Sequence, residues 1–384
     1  MDGERMMTTS RRTRRRRAGR NLRRDRRLIG GSLVLAVGSA GLLGSQLAFA
    51  APEPAPVVAA EAPALDDGVL DLGFAGDTMF GDGSEEKLAA SGAAPLLAGV
   101  APLLDDFDYT IVNAEVPFTT IQTPANPGAK YTYASDPAHL SALREIGVDA
   151  LNLGNNHAMD RGGAGLDDTI RHAGEGGLAA FGAGATRAEA SMPLLVRSEQ
   201  LDMAVVSFGE DFGALHRSTE TTPGMVPLRL DRVEQVLRAA RDNGADKVVA
   251  FVHWGNNYED VNAQQRYWAG VFADAGYDAV IGSGSHTLQA VEMIGGVPVV
   301  YGIGNFVFGA PGRFASYGKP GLGAIVGLRW NQSGVGSITL RVIETDNKIV
   351  DYVARPLPDA ELATAKAIIG DAVTWRADGA VLRF

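Results

Sequence analysis

The sequence predicts an α/β fold, with largely parallel strands and an antiparallel closing segment. Three observations predict it. From residue 69 onward, short β-rich runs alternate with longer helical patterns, the signature of strand–helix units. Nearly every such run ends in Asp, Asn, Glu or His, as in open sheets that build sites at strand ends. The composition, 46% hydrophobic with 48 glycines in 384 residues, is that of a globular chain with a sizeable core.

In chain order, strands are expected at 69–75, 109–114, 150–153, 203–208, 247–252, 279–281 and 298–303. Each is a short β-branched or apolar run bounded by turn residues. Between them, helical spacing of apolar residues marks 85–104, 137–146, 164–175, 231–243 and 263–275. The runs 324–330, 337–344 and 349–355 follow one another with turns at Gly334 and Asp346–Asn347, which reads as an antiparallel closure before a helix from Asp359. No repeat of 20–50 residues is evident.

The first 68 residues read differently. Segment 1–27 holds 12 arginines against Asp2, Glu4 and Asp25, and runs into an uncharged apolar stretch at 28–50. Charge followed by an apolar span of 23 residues is the order of a signal peptide or signal anchor, and about 20 residues cross a bilayer. The arginines would stay cytoplasmic and the rest of the chain would lie outside. Ala48, Phe49 and Ala50 offer a cleavage site before Ala51, so either a membrane-anchored or a secreted product is expected. Residues 51–68, rich in Ala, Pro and acids, read as a tether, and 69–384 as one domain. After Arg27 there remain 23 bases against 42 acids, a net charge of −19. Such a body repels nucleic acid. With no cysteine, disulfides, thiolate metal sites and a cysteine nucleophile are excluded.

The polar strand ends carry the chemistry. Asp77, in GFAGDTMFG, is a carboxylate that could ligate a hard cation or cap the next helix. Asn113 and Glu115 lie in NAEVPFT, where Pro117 breaks the run; Glu115 is a second carboxylate and Asn113 a ligand-facing or turn-holding amide. In LGNNHAMDRGG, Asn155, Asn156 and His157 follow a strand directly and Asp160 comes three residues later. Imidazole titrates near neutrality and suits a general acid, and Asp160 could orient it or cap a helix. His253 ends the run VAFVH, followed by Trp254, a cavity wall or a core residue; His286 follows the Gly-rich turn IGSGS. Asn305, in YGIGNFVFG, would hold its loop or touch substrate. His139, His172 and His216 lie away from strand ends and are read as structural. There is no phosphate-binding G-x-x-x-x-G-K-[ST] run, no dinucleotide-type glycine fingerprint in context and no G-x-S-x-G elbow.

The ordered series GDTMFG, NAEVPFT, NNHAMDRG, HWGNNY, a Gly-Ser loop ending in His-x-x-Gln, and YGIGNFVF resembles the CapA family of capsule (poly-gamma-glutamate) biosynthesis proteins from about residue 70 to 308. The resemblance implies a four-layer, metallophosphatase-like sandwich of mixed sheets flanked by helices, related to calcineurin-like metallophosphoesterases, at the outer face of the membrane. It implies Asp77, Glu115, Asn156, His253 and His286 around a divalent-metal site (Mn, Fe or Zn), with His157 as the acid. It also implies an anionic polymer such as poly-gamma-glutamate and membrane synthase or export proteins as partners. The chain departs from the family pattern at Gly284, where the first His of G-x-H-P-H-x-x-Q would stand, and at Met79, where the wider class carries the His of D-x-H. One ion, two or none are therefore open. So are two functions: metal-assisted hydrolysis or transfer on a phosphoester, polymer or lipid carrier, and a non-catalytic scaffold that binds an anionic polymer.

Overall fold

The computed structural model of the protein describes residues 58–61, 69–199, 201–331 and 333–384. The arginine-rich segment 1–27 and the apolar stretch 28–50 lie outside the described residues.

Two sheets stack face to face. One runs in the order Val58–Glu61, Leu194–Arg197, Met203–Gly209, Lys247–His253, Ala279–Ser283, Val297–Val300 and Val291–Ile294. The other runs Thr374–Arg376, Gly379–Arg383, Gly336–Glu344, Leu322–Asn331, Val69–Met79, Tyr109–Ala114, Ala150–Asn152 and Ala179–Phe181, with Asn305–Phe308 also beside Val69–Met79. Side chains alternate along a strand, so Leu72 and Phe74 of one sheet meet Phe251 and Ile281 of the other in a common core. The Phe74 and Phe251 rings pack edge to face with centroids 5.4 Å apart.

The outer faces are covered by helices. Leu143 and Leu166 pack with Ala75, Val112 and Leu151 on one side, while Val233, Val236 and Phe272 pack with Val206 and Val248 on the other. The architecture is therefore the expected four layers. Burial of both faces explains why a central strand such as KVVAFVH is a continuous apolar run.

Several expectations are corrected. The single helix expected at 85–104 is three short pieces, Glu85–Ser91, Ala94–Leu97 and a 3₁₀ turn Ala101–Leu103. Gly92 takes a left-handed φ of 72° and Pro95 and Pro102 each lack an N–H, so the helix restarts twice. The strand expected at 349–355 is a short helix, Asn347–Val350, whose N-terminus Asp346 caps through the Lys348 N–H; only Arg355–Pro356 pairs with the sheet. Within the stretch read as a tether, Val58–Glu61 pairs in parallel with Leu194–Arg197, so the folded body takes in those residues.

One irregularity positions the site. Strand Val69–Met79 pairs with Leu322–Asn331 through residues 69–74, then with Asn305–Phe308 from Asp77 onward. Its register against Tyr109–Ala114 slips between Ala75 and Asp77. A bulge re-aims the residue that follows it. Gly76 is required there, because a Cβ would overlap the Gly304 carbonyl, which accepts from the Asp77 N–H at 3.0 Å.

Candidate metal centre

The bulge delivers Asp77 to a point where strand ends of both sheets converge. Glu115 follows strand Tyr109–Ala114, His253 ends Lys247–His253, and His286 stands on the turn after Ala279–Ser283. His286 holds a left-handed φ of 57°, a conformation that costs a non-glycine residue roughly 1 kcal/mol or more and is found where structure around it demands it. Asp77 and Glu115 are fully buried, and His253 and His286 nearly so.

Glu115 is the focus. Its Oε1 has three imidazole Nε2 atoms around it, His253 at 3.6 Å, His286 at 3.7 Å and His157 at 3.9 Å. None is within hydrogen-bond range, and both carboxylate oxygens are buried without a hydrogen-bond partner among the described residues. A carboxylate left so costs several kcal/mol unless a cation answers it. Burial pushes its pKa well above the usual carboxylate range, against the opposing charge of His286.

The neighbours are held in fixed orientations. Burial works to raise the Asp77 carboxyl, but the hydrogen bond and charge of His286, then His253 and the Asn113 amide, hold it below its ordinary value. Its oxygens accept from Asn113 Nδ2 at 2.8 Å and from the Gly284 N–H at 3.1 and 3.2 Å. His286 Nδ1 donates toward Asp77 Oδ2 at 3.1 Å and Asn305 Oδ1 at 3.0 Å, which turns Nε2 to the centre. Burial would lower His286, yet the carboxylates of Glu115 and Asp77 outweigh it and raise its pKa to about 9.

His253 differs. The oxygen of Asn113 accepts from Asn155 and Asn152, so its Nδ2 faces His253 Nδ1 at 3.0 Å and donates to it. The His253 proton is then on Nε2, toward Glu115, and burial lowers the group to about 3. As a ligand through Nε2, His253 would take the other tautomer, with its proton on Nδ1, which the Asn113 amide opposes. His157 Nδ1 donates to Asp160 Oδ2 at 2.8 Å, and the Tyr133 N–H binds the same oxygen at 2.7 Å. Asp160 therefore orients His157, leaving Nε2 facing the centre.

The compact donor set is Asp77, Glu115 and His286, whose ligand atoms lie within 4.8 Å of one another. Asn156, next to His157 in the chain, has a buried Oδ1 without a hydrogen-bond partner among the described residues. Unanswered carboxylate oxygens, a spare amide oxygen and an imidazole Nε2 fit a divalent cation, and hard or borderline ions take this mixture. Position 284 offers only its N–H; a Cβ there would stand 2.8 Å from His253 Nε2. Met79 is buried in the apolar core.

The four residues expected to bind substrate are placed behind the ligands. Asn113 orients Asp77 and His253. Asn155 is fully buried, giving its amide to the Ala114 carbonyl and taking the N–H groups of His157 and Ala158. Asn305 accepts from His286. Trp254 is a core residue: its indole N–H donates to the Tyr301 carbonyl at 2.7 Å and its ring packs on Phe272. The sequence reading missed the aromatic cover. Tyr133 lies 4.6 Å from the His157 ring, Phe308 and Tyr258 lie 4.8 and 5.5 Å from His286, and Phe212 lies 5.9 Å from His253. Tyr258 and Phe308 sit inside the motifs HWGNNY and YGIGNFVF; Tyr133 and Phe212 carry no signal at the sequence level. His139 packs on Phe80, while His216 lies against Phe212.

Fold and donor set together define a four-layer α/β protein with a carboxylate–imidazole centre where its two sheets meet. The chain belongs to the family described as bacterial capsule synthesis protein PGA_cap, which it matches over residues 71–310. It is similar to the PGA biosynthesis protein CapA of Bacillus subtilis (strain 168), 30% identical over 244 residues, 63% of this chain and 64% of that protein. It is likewise similar to the capsule biosynthesis protein CapA of Bacillus anthracis, 30% identical over 250 residues, 62% of this chain and 60% of that one. The chain thus spans less than two thirds of the length of either relative. Among solved structures it is similar to the calcineurin-like phosphoesterase YfkN of Bacillus subtilis, with a TM-score of 0.40 and 16% identity over 75% of this chain and 88% of that one.

Proposed function

We propose that this protein handles an anionic capsule polymer, poly-gamma-glutamate or a chain like it, through a centre that holds one divalent cation. Membership of the capsule family supports the polymer, and the partners would be that polymer and its membrane synthase or export proteins. The observation that carries the centre is Glu115, buried with both oxygens unanswered among the described residues and faced by three imidazoles. Asp77, Glu115 and His286, with Asn156, would hold the ion, and His253 could join them in its other tautomer. A bound divalent cation polarises an oxygen ligand and stabilises negative charge developing on it.

The chain's own residues add the rest. Asp160 fixes the His157 ring so that Nε2 faces the reacting group, where it donates a proton to a leaving oxygen. Asn305 and Asn113 hold the two other imidazoles. Tyr133, Tyr258, Phe212 and Phe308 wall the centre and keep bulk water from it. Hydrolysis or transfer at a phosphoester or at the polymer is the reaction class these groups serve. A second reading, a non-catalytic scaffold that grips the polymer, is favoured by Gly284, which supplies no side chain to a second ion.

Export is part of the proposal. It rests on the arginine-rich segment and apolar stretch of the sequence; among the described residues no helix is long and apolar enough to cross a membrane. Metal analysis of the purified full chain tests the centre, alongside Asp77→Ala and Glu115→Gln. About one manganese, iron or zinc ion per chain, lost in both variants, supports it. A folded wild type that takes up none of these ions leaves the scaffold reading alone.

A further inference from the structure

Beside the metal centre the structure has a cavity of about 670 Å³ whose wall includes Asp82, Lys130, Tyr131, Tyr133 and Arg161. It abuts the centre directly, since Tyr133 covers His157 and its N–H binds the Asp160 carboxylate. Two cations, Lys130 and Arg161, line it, and a third, Arg313, stands beside Tyr131 and Asp82 of its wall. Lys130 Nζ lies 5.0 Å from the Tyr131 ring centroid, and the Arg313 guanidinium lies 4.3 Å from the same ring. Arg161 donates to the carbonyls of Ile121 and Asp160 at 3.1 and 3.3 Å. Arg313 donates to Asp82 at 3.2 Å; one such bond leaves most of its five N–H groups for another acceptor. Neither Lys130 nor Arg161 is salt-bridged among the described residues.

Carboxylates also line the cavity, but each is engaged locally. Asp82 faces Arg313, Glu85 accepts from the Gly83 N–H at 2.6 Å, and Asp136 accepts from the Ala138 N–H at 2.9 Å. In a body that carries an excess of acids, the three cations beside this one reactive centre offset the three carboxylates of the wall, and two of them, Lys130 and Arg161, have no carboxylate partner among the described residues. Arginine against an aromatic ring is a preorganised planar donor for carboxylate or phosphate.

From this grouping we infer that the cavity is an anion subsite. It takes a carboxylate of a chain-like substrate one or more units away from the group presented to the metal centre, with Arg313 and Lys130 as its binding residues. The inference rests on the capsule reading for the identity of the chain, not for the existence of the subsite. It gives the protein a preference for a polyanion over a lone anion, because two contacts on one chain add as an intramolecular event.

The test is calorimetric binding of a γ-linked glutamate oligomer, a glycerol-phosphate oligomer of equal length and inorganic phosphate to the full chain in detergent. Wild type is compared with Arg313→Gln and Lys130→Gln. Lys130 is exposed, so its variant stays folded even where Arg313→Gln, which leaves Asp82 only the Tyr133 hydroxyl, does not; thermal melts check both. The expected result is glutamate-oligomer binding weakened about tenfold in each variant, with metal content and binding of inorganic phosphate unchanged. Arginine- and lysine-dependent binding of the glycerol-phosphate oligomer alone would keep the subsite and remove the glutamate-polymer reading. Glutamate-oligomer binding that is equal in wild type and both variants would overturn the subsite and leave the capsule reading intact. Binding of neither oligomer would also overturn it.

Discussion

Glu115 is buried and His139 half-buried, each with an unanswered polar atom among the described residues, and the two lead to opposite expectations. A carboxyl group raised in the folded state stabilises only at low pH, and that contribution is lost as pH rises from its unfolded value near 4.5 toward its folded one. At pH 7.5 Glu115 is therefore a burden on the metal-free protein, kept for the cation. Glu115→Gln is expected to raise the stability of the metal-free chain by about 1–2 kcal/mol, measured by urea unfolding, while abolishing the rise in melting temperature that a divalent ion gives the wild type. A destabilised variant that still responds to the ion would refute this. His139 has no ion to await. Burial lowers its pKa, so below about pH 6.5 the unfolded chain binds the proton that the folded chain resists, and stability falls as pH falls. His139→Phe, whose ring can rest on Phe80 as the imidazole does, removes the buried Nδ1 and is expected to flatten the fall in melting temperature between pH 7 and 5. An unchanged slope would place that pH dependence on other groups.

Elements were legible in the sequence wherever local pattern and tertiary demand agree. Runs such as 109–114 and 247–252 became strands with nearly those bounds because burial on both faces writes itself as unbroken apolar residues. Legibility failed where a few residues decide. The short strands Leu194–Arg197, Val291–Ile294 and Gly379–Arg383 have too few residues to show a period, although each pairs with a strand next to it in the chain, and the sequence reading did not find them. Asn305 was expected after a strand; it begins one, because the strand pairs with Asp77 across the bulge. The candidate ligands were legible because strand ends in motif blocks expose them. Their order of use was not, since only the three-dimensional network assigns the proton on His253. Phe107 shows the same limit. Gly73 and Gly327 are register partners on adjacent strands, and a Cβ on Gly73 would overlap the Phe107 ring while one on Gly327 would stand 2.7 Å from it. The ring fills the space that two side chains leave empty. Phe107→Ala is expected to lower stability by about 3 kcal/mol or more, read by denaturant unfolding, with metal content unchanged because Asp77 is held by its own bulge. A loss below about 1 kcal/mol would mean the strands close over the gap.

At the scale of the molecule, the centre joins what the fold keeps apart. Asp77 and Glu115 come from one sheet, while His253 and His286 come from the other. Deeper in the core the sheets meet through apolar contacts such as Phe74 on Phe251, which have no direction, while hydrogen bonds such as Asn113 to His253 and Gly284 to Asp77 cross at the site itself. A cation on Asp77, Glu115 and His286 would be a directional tie between the two layers at the end where polar groups interrupt the core. Binding to the folded chain alone stabilises it by about 2.7 kcal/mol when the ion is at 100 times its dissociation constant. For a domain this size that is a rise of roughly 4 °C in melting temperature. The rise should depend on ion concentration and reverse with chelator. Because the ligands span both sheets, amide exchange should slow together in Val69–Met79 and in Lys247–His253. Protection confined to one of these strands would show that the ion sits on one sheet alone. The tie between layers would then fall, even if the ion binds.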